Sequence, residues 1–222
     1  MNDEHDRGIA LALLSFTAGS MDAIAFLTLG DVFTSAMSGN TILLGLALGE
    51  GRMSAAWHSL AAFVGYVAGV AGAALPLRTP TRGIERTLVL ETLFLAAFAG
   101  LWTACGGPVR SSVVYGFIIL SAIAMGLQGA VGRAIRIPGI PTIVITSTLT
   151  AIVGTVAERR LVRDRPVLTA PTRQQIGTFL VYLGSAVVTG FAASHWLAGL
   201  PFVPMAAVFT LTLGLRLRML RL

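Results

Sequence analysis

The sequence predicts an all-α polytopic membrane protein, and two observations carry that prediction. Of its 222 residues, 55% are hydrophobic and only 12% are charged, whereas a soluble globular domain carries about 25% charged residues. The chain also contains several stretches of about 20 mainly apolar residues, the length that a helix needs to cross the hydrocarbon layer. A soluble enzyme, a disordered segment and a disulfide-rich secreted domain are excluded. We expect one integral membrane domain, residues 1–222, with the lipid bilayer as its partner.

Six stretches are predicted to be transmembrane helices: residues 8–30, 55–76, 84–104, 112–131, 174–197 and 200–216. Two further apolar stretches, 32–49 and 138–157, are shorter and contain polar runs. Pro138 and Pro141 open the second of them, and a proline pushes the preceding residue out of the α region. Irregular backbone at membrane depth is tolerated only where it is buried in protein or lines a watery cavity. Both stretches are therefore predicted to be broken or re-entrant.

The arginines favour six crossings over eight. All sixteen basic residues are Arg, and cytoplasmic loops carry an excess of them. With eight crossings and a cytoplasmic N-terminus, eleven arginines fall inside and five outside. If 32–49 and 138–157 each enter and leave on one side, only Arg52 and Arg110 fall outside. We therefore predict about six full transmembrane helices plus two broken or re-entrant segments, with eight crossings as the alternative and both termini cytoplasmic. The arginines form no single basic face, so no nucleic-acid partner is expected.

The two halves of the chain, approximately residues 8–105 and 112–217, have matching features. The run MSGN at 37–40 aligns with ITST at 145–148, an offset of 108 residues, and FVGY at 63–66 corresponds to FLVY at 179–182. With three crossings in each half, the second copy would enter from the opposite side, so the halves are predicted to be inverted repeats. Interrupted helices in matching positions of inverted repeats are typical of transporters with a site near the midplane. A chance match between two threonine-rich segments is the alternative.

Four motifs resemble the signature of the YoaK-like family of bacterial inner-membrane proteins. They are SFTAGSMDA at 15–23, FTSAMSGNT at 33–41, MGLQ at 125–128 and PGIPT at 138–142. The resemblance covers nearly the whole chain and implies a multi-pass protein of the bacterial cytoplasmic (inner) membrane, but it implies no substrate. The family pattern usually continues from Gln128 with an Asn, where this chain has Gly129, and Ser38 replaces a more common Thr.

Two acidic residues stand out within the predicted helices. Asp22 lies about 21 Å along the first one, counted from Gly8, inside the ~30 Å hydrocarbon layer. A carboxylate there is costly unless it is protonated, paired or hydrated. Asp22 is therefore expected to face the interior, where it would couple proton or cation movement to transport or contact the substrate. The alternative is a structural acceptor for hydroxyl or amide groups of a neighbouring broken segment. Glu91, near the start of the third span, is expected to reach interfacial water or to pair with an arginine of the preceding loop.

Small polar residues mark the two broken segments. If helices begin there, their free N–H groups and positive dipole ends would favour an anion or a polar head group. Hydroxyls that bond back to their own helix are the alternative. Gln128 could join such a site or make an interhelical hydrogen bond. The candidate substrate-binding or coupling residues are Asp22, Ser38, Gly39, Asn40, Thr41, Glu91, Gln128, Thr146, Ser147 and Thr148.

The remaining motifs bear on partners and on function class. Gly65 and Gly69 belong to a stripe of small residues that is expected to pack within the chain, with a homodimer face as the alternative. The sequence has no Lys and none of the phosphate-binding, metal-ligand or nucleophile-elbow motifs of enzymes, so we expect no enzyme, cofactor or metal. The hypothesis is a secondary transporter or permease for an unknown small solute, possibly coupled to protons. The alternative is a non-transporting membrane scaffold or accessory subunit.

Overall fold

The computed structural model describes residues 2–79, 82–108, 112–135, 145–161, 169–217 and 219–220, and these ranges are helical with short connections. Their helices are α1 (Asn2–Thr28), α2 (Met37–Gly49), α3 (Met53–Ala73), α4 (Gly83–Ala104), α5 (Val113–Ala134), α6 (Ile145–Leu161), α7 (Ala170–His195) and α8 (Phe202–Arg216). Single 3-10 turns, Pro76–Arg78 and Leu197–Gly199, follow α3 and precede α8.

Six helical segments are long and apolar enough to cross a membrane, namely α1, α3 with the 3-10 turn that follows it, α4, α5, α7, and α8 with the 3-10 turn that precedes it. The helix α2 has only 13 residues and spans about 20 Å at 1.5 Å per residue, which is less than the ~30 Å hydrocarbon layer. The described part of α6 has 17 residues. The prediction of an all-α polytopic protein with six full spans and two shorter segments is confirmed.

The chain that contains α2 starts and ends at the same end of the helix bundle. A cavity of about 810 Å³ is lined by the last residues of α1, the first residues of α3 and the first residues of α5, including Phe26, Arg52 and Tyr115. The end of α1 and the starts of α3 and α5 therefore lie together, at what we call the Arg52 end. Because α1 ends there and α3 begins there, the chain between them does not cross.

The opposite end of the bundle collects the remaining helix ends. At the end of α8, Arg216 donates from Nε to Glu85 Oε1 at the start of α4, over 3.1 Å. At the start of α1, Gly8 packs against Gln174 at the start of α7. Since α5 runs away from the Arg52 end and α7 begins here, the chain leaves α5 and returns to α7 at the same end of the bundle. We call this the arginine-rich end, because every described arginine apart from Arg52 and the two in α6 belongs to the helix ends or connections on this side.

Four helices enclose the core. The helix α1 packs against α5 and α8, and α4 packs against the same two helices. Outside this ring, α3 packs on α5 and carries α2, while α7 packs on α1 and carries α6. Between α4 and α5, the rings of Phe98, Trp102 and Phe117 meet with centroids 5.4–5.8 Å apart, which are favourable aromatic geometries.

Glycines permit the two closest helix contacts. In the α3–α5 contact, a Cβ on Gly126 would overlap the carbonyl oxygen of Tyr66, and a Cβ on Gly69 would overlap that of Ile123. In the α1–α7 contact, a Cβ on Gly19 would overlap the carbonyl oxygen of Tyr182. Gly65 likewise packs against α5. The stripe containing Gly65 and Gly69 therefore faces α5 of the same chain.

Candidate functional site

The chain turns back into the bundle directly after α1. Gly30 and Asp31 both adopt positive φ, +92° and +58°, a conformation in which glycine is favoured and aspartate is tolerated. The ring of His58 lies where a Cβ of Gly30 would sit, so a larger residue does not fit. Residues 32–36 then run inward until Thr34 reaches Asp22, six residues and about 9 Å before the end of α1.

Asp22 is the centre of the densest side-chain hydrogen-bond cluster in the described residues. Its Oδ1 accepts from the backbone N–H of Thr34 and of Ser35, both at 2.7 Å, and from the Thr34 hydroxyl at 3.1 Å. Its Oδ2 accepts from the Ser35 hydroxyl at 2.6 Å and from the Tyr182 hydroxyl on α7 at 2.7 Å. Three separate segments, α1, the connection before α2 and α7, therefore meet at one carboxylate.

This geometry gives Asp22 a clear chemical role. The side chain is 3% exposed, and each donor points at it, which is the environment that stabilises an ionised carboxylate. The backbone N–H groups of Thr34 and Ser35 lie just before the first turn of α2, where an anion is favourable. The negative group at this helix start is thus a side chain of the protein itself. The geometry matches the alternative in which Asp22 accepts hydrogen bonds from a neighbouring segment.

Within the polar run of α2, only Asn40 faces the interior. Its Nδ2 donates to the carbonyl oxygen of Phe33 at 2.6 Å, and its Oδ1 accepts from the N–H of Phe33 at 2.8 Å. Gly39 leaves room for the ring of Phe33. Ser38 and Thr41 are exposed, and the Thr41 hydroxyl donates to Met37 of its own helix. Asn40 and Gly39 therefore shape the connection, while Ser38 and Thr41 lie apart from Asp22.

Gln128 belongs to a different layer of the bundle from Asp22. Its Nε2 donates to the carbonyl oxygen of Leu14 on α1 at 3.0 Å. Leu14 is eight residues, or about 12 Å, from Asp22 along the same helix. The expected single site that joins Asp22 to Gln128 is therefore not formed, and the interior has two polar layers.

Glu91 lies in the interior on α4, and the environment predicted for it from the sequence is wrong. The side chain is 0% exposed, so it does not reach interfacial water. Neither carboxyl oxygen has a hydrogen-bond partner among the described residues, and the amide oxygen of Gln128 has none either. The periodicity explains the burial, because Glu91 continues the inward-facing series that includes Leu95, Phe98 and Trp102.

The second broken segment is described only from the start of α6. The prolines Pro138 and Pro141 and the side chain of Thr146 lie outside the described residues. Ser147 and Thr148 are in the first turn of α6, Ser147 half-buried and Thr148 buried. The helix packs against α7.

Three residues of the Asp22 cluster were not predicted from the sequence as site residues. Thr34 and Ser35 lie in the same polar run as Asn40, but a polar run does not indicate which members point inward. Tyr182 is the last residue of the FLVY repeat motif, and that position was the available signal. In the described ranges, no group of three or more His, Cys, Asp or Glu side chains could hold a metal ion.

Fold and site together define a polytopic helical membrane protein with buried acidic residues. The chain belongs to the family described as "Protein of unknown function (DUF1275)", which matches residues 10–214. It is 30% identical over 215 residues to the UPF0700 transmembrane protein YoaK of Bacillus subtilis (strain 168), covering 96% of each chain. The predicted YoaK-like resemblance is confirmed. No solved structure matches the chain.

Proposed function

We propose that this protein is a secondary transporter or permease for a small solute, built from two inverted repeats. The observation that carries the proposal is the pair of short helices, because the chain that contains α2 leaves and returns at the Arg52 end, whereas the chain that contains α6 leaves and returns at the arginine-rich end. Discontinuous helices in corresponding positions of inverted repeats line the substrate site in many secondary transporters.

The packing partners support the repeat relationship. If α1 to α4 correspond to α5 to α8, the contact of α3 with α5 corresponds to that of α7 with α1, and α2 on α3 corresponds to α6 on α7. The contact of α4 with α5 likewise corresponds to that of α8 with α1. Each major helix pair thus has its counterpart in the other half.

The close glycine contacts support the same relationship at residue level. Gly19 on α1 packs against the carbonyl of Tyr182, and Gly126 on α5 packs against the carbonyl of Tyr66. The two tyrosines are the corresponding residues of the FVGY and FLVY motifs. By this correspondence the counterpart of Asp22 is Gly129, which leaves the two halves chemically unequal.

A route for a solute is available at the Arg52 end. The cavity of about 810 Å³ there is within the range of small-molecule sites. Its lining combines apolar residues with Asp31, Arg52 and His58. We infer that a small polar solute enters through this cavity.

The arginine distribution supports an orientation in the bacterial cytoplasmic membrane. Positive-inside asymmetry favours a cytoplasmic position for the arginine-rich end, and this supports the proposal that both termini are cytoplasmic. The alternative of a scaffold or of a homodimer that uses Gly65 and Gly69 has less support, since these glycines face α5 of the same chain.

The proposal is tested in two stages on purified full-length protein. A thermal-shift screen with amino acids, organic anions, sugars and nucleosides should find a solute that raises Tm, because ligand binding to the folded state stabilises it. That solute, radiolabelled, should then accumulate in proteoliposomes above the level of empty vesicles.

The control variant for this experiment is Arg216→Gln, at an exposed ion pair near the end of the bundle, which makes no contact with Asp22 or Glu91. It should retain uptake. Absence of stabilisation by any solute, together with uptake equal to that of empty vesicles, would contradict the transporter proposal and favour the scaffold.

A further inference from the structure

Glu91 is the buried acidic residue for which the fold provides no partner. Both of its carboxyl oxygens are enclosed and without a hydrogen-bond donor in the described part of the chain. Asp22, by contrast, accepts hydrogen bonds from Thr34, Ser35 and Tyr182. Two acids in one membrane protein thus have opposite surroundings, one suited to a charge and one to a neutral group.

The depth of Glu91 strengthens this contrast. It is eight residues after the start of α4 at Gly83 and thirteen before its end at Ala104, or about 12 Å and 20 Å from the two ends. An ionised carboxylate at that depth is strongly disfavoured unless a cation or several donors face it.

Titratable groups on the elements packed against α4 do not fill that role. The described ones are Tyr115 and Arg133 on α5, Arg216 on α8 and Arg78 in the 3-10 turn. Arg216 is held by an ion pair to Glu85, six residues from Glu91 along α4. The other three lie at or beyond the ends of the bundle, because they are at the ends of their helices.

An acceptor for a proton on Glu91 lies on the facing helix. The helices α4 and α5 are antiparallel, and the ring of Phe98 meets that of Phe117. Glu91 lies seven residues before Phe98 on α4, and Ala124 lies seven residues after Phe117 on α5, so these two residues are at about the same depth. Gln128 follows Ala124 by about one helical turn. Side chains lean toward the N-terminus of their own helix, so Glu91 and Gln128 lean toward each other. The unpartnered Oε1 of Gln128 can accept from a carboxylic acid.

We propose that Glu91 is a neutral carboxylic acid in this conformation and is the proton carrier of the transport cycle, with Gln128 as the acceptor that faces it. Asp22, which accepts hydrogen bonds from three segments, has the structural role. When the surroundings of Glu91 open to water, the acid releases its proton and becomes a carboxylate, and rebinding of a proton reverses the step. The coupling role rests on the proposed transport function, whereas the protonation state does not.

The protonation state is tested by infrared spectroscopy of the reconstituted full-length protein at neutral pH. The wild type should show the carbonyl band of a protonated carboxylic acid. That band should be lost in Glu91→Gln and retained in Asp22→Asn and in the matched control Glu85→Gln on the same helix. Gln128→Leu should shift the band toward that of an acid without a hydrogen bond. No band in the wild type, or loss of the band in Asp22→Asn alone, overturns the proposal.

The coupling role is tested with the solute found by the thermal-shift screen. Glu91→Gln imitates the neutral acid, so it should keep solute exchange between the two sides of the vesicle and lose accumulation driven by a pH gradient. If Glu91→Gln still accumulates the solute in response to a pH gradient, Glu91 is not the proton carrier, although the proposed transport function is retained. If the infrared band of protonated Glu91 is present but the protein moves no solute, the proposed transport function is wrong and the proposed protonation state is retained. If Glu91→Gln does not fold, Gln128→Leu provides the infrared test.

Discussion

Asp22 shows how one side chain can fix the start of a short helix inside a membrane protein. Two backbone N–H groups and three hydroxyls converge on it. The Thr34 donors are buried and those of Ser35 and Tyr182 are partly buried, and an unsatisfied buried donor costs about 1–3 kcal/mol. The carboxylate thus stabilises the connection between α1 and α2 through bonds that neither helix can supply.

The first prediction concerns removal of that carboxylate. Asp22→Ala leaves two backbone N–H groups without an acceptor, so the free energy of unfolding should fall by about 2–5 kcal/mol. Asp22→Asn should cost less, since the amide keeps one oxygen and the hydroxyls of Ser35 and Tyr182 can turn to accept. Reversible unfolding in mixed detergent micelles measures both changes.

The matched control for this series is Asp31→Asn. Asp31 is exposed and has positive φ, a conformation that Asn also adopts readily, so its stability should be unchanged. A loss in Asp22→Ala no larger than that in Asp31→Asn would contradict the structural role of Asp22.

At the scale of helices, close backbone contact decides which faces are buried. The helices α3 and α5 approach at Gly69 and Gly126, where neither side chain separates the backbones. Membrane helices gain their association largely from such van der Waals packing, because lipid supplies no hydrophobic drive between them. The outer faces of α3 and α7 remain apolar and exposed, for example at Val67 and Val187, as lipid contact requires.

The second prediction compares two glycines of α3. Gly69→Ala places a methyl group against the Ile123 carbonyl, and overpacking of this kind costs about 1–3 kcal/mol. Gly72→Ala meets open space and should be neutral or slightly stabilising, since Ala favours helix over Gly. Thermal denaturation of the two variants in the same detergent gives the comparison. Equal Tm values for the pair would show that the contact tolerates the methyl group.

The periodicity of the sequence was enough to find the helices but not the partners of their polar residues. Apolar length located all six spans, and the polar run at 34–41 located the short segment before α3. That run could not assign which residues face inward, because the backbone before Met37 is irregular and has no period. Glu91 was misjudged for a related reason: distance from a helix end suggests exposure, whereas the helical face decides it.

For the whole molecule, the arrangement of helix ends makes the connection from α1 to α3 the critical topological feature. The end of α1 and the start of α3 line one cavity, and the short α2 lies between them in sequence. Which side of the membrane each terminus occupies therefore depends on whether the connection from α1 to α3 returns to the side on which α1 ends.

The third prediction tests this topology by cysteine labelling with a membrane-impermeant reagent. In a Cys105→Ala background, cysteines at Asp31 and Arg52 should be labelled from the same side, and a cysteine at Arg82 from the opposite side. A comparison of intact with permeabilised cells shows from which side of the membrane each cysteine is labelled. Labelling of Asp31 and Arg52 from opposite sides would mean that α2 crosses, and the six-span fold would then be wrong.

The cluster on Asp22 has a mechanical consequence. It ties α1, the start of α2 and α7 at one point with bonds of 2.6–2.7 Å, so sliding any of the three by more than about 1 Å would break charge-assisted bonds. The described side-chain bonds between α4 and α8 are weaker, a 3.4 Å contact of Thr92 with Thr212 and the exposed Glu85–Arg216 pair. A rocking motion of the bundle would therefore move α1, α7 and the connection before α2 together, whereas fewer side-chain bonds oppose a shift of α4 against α8.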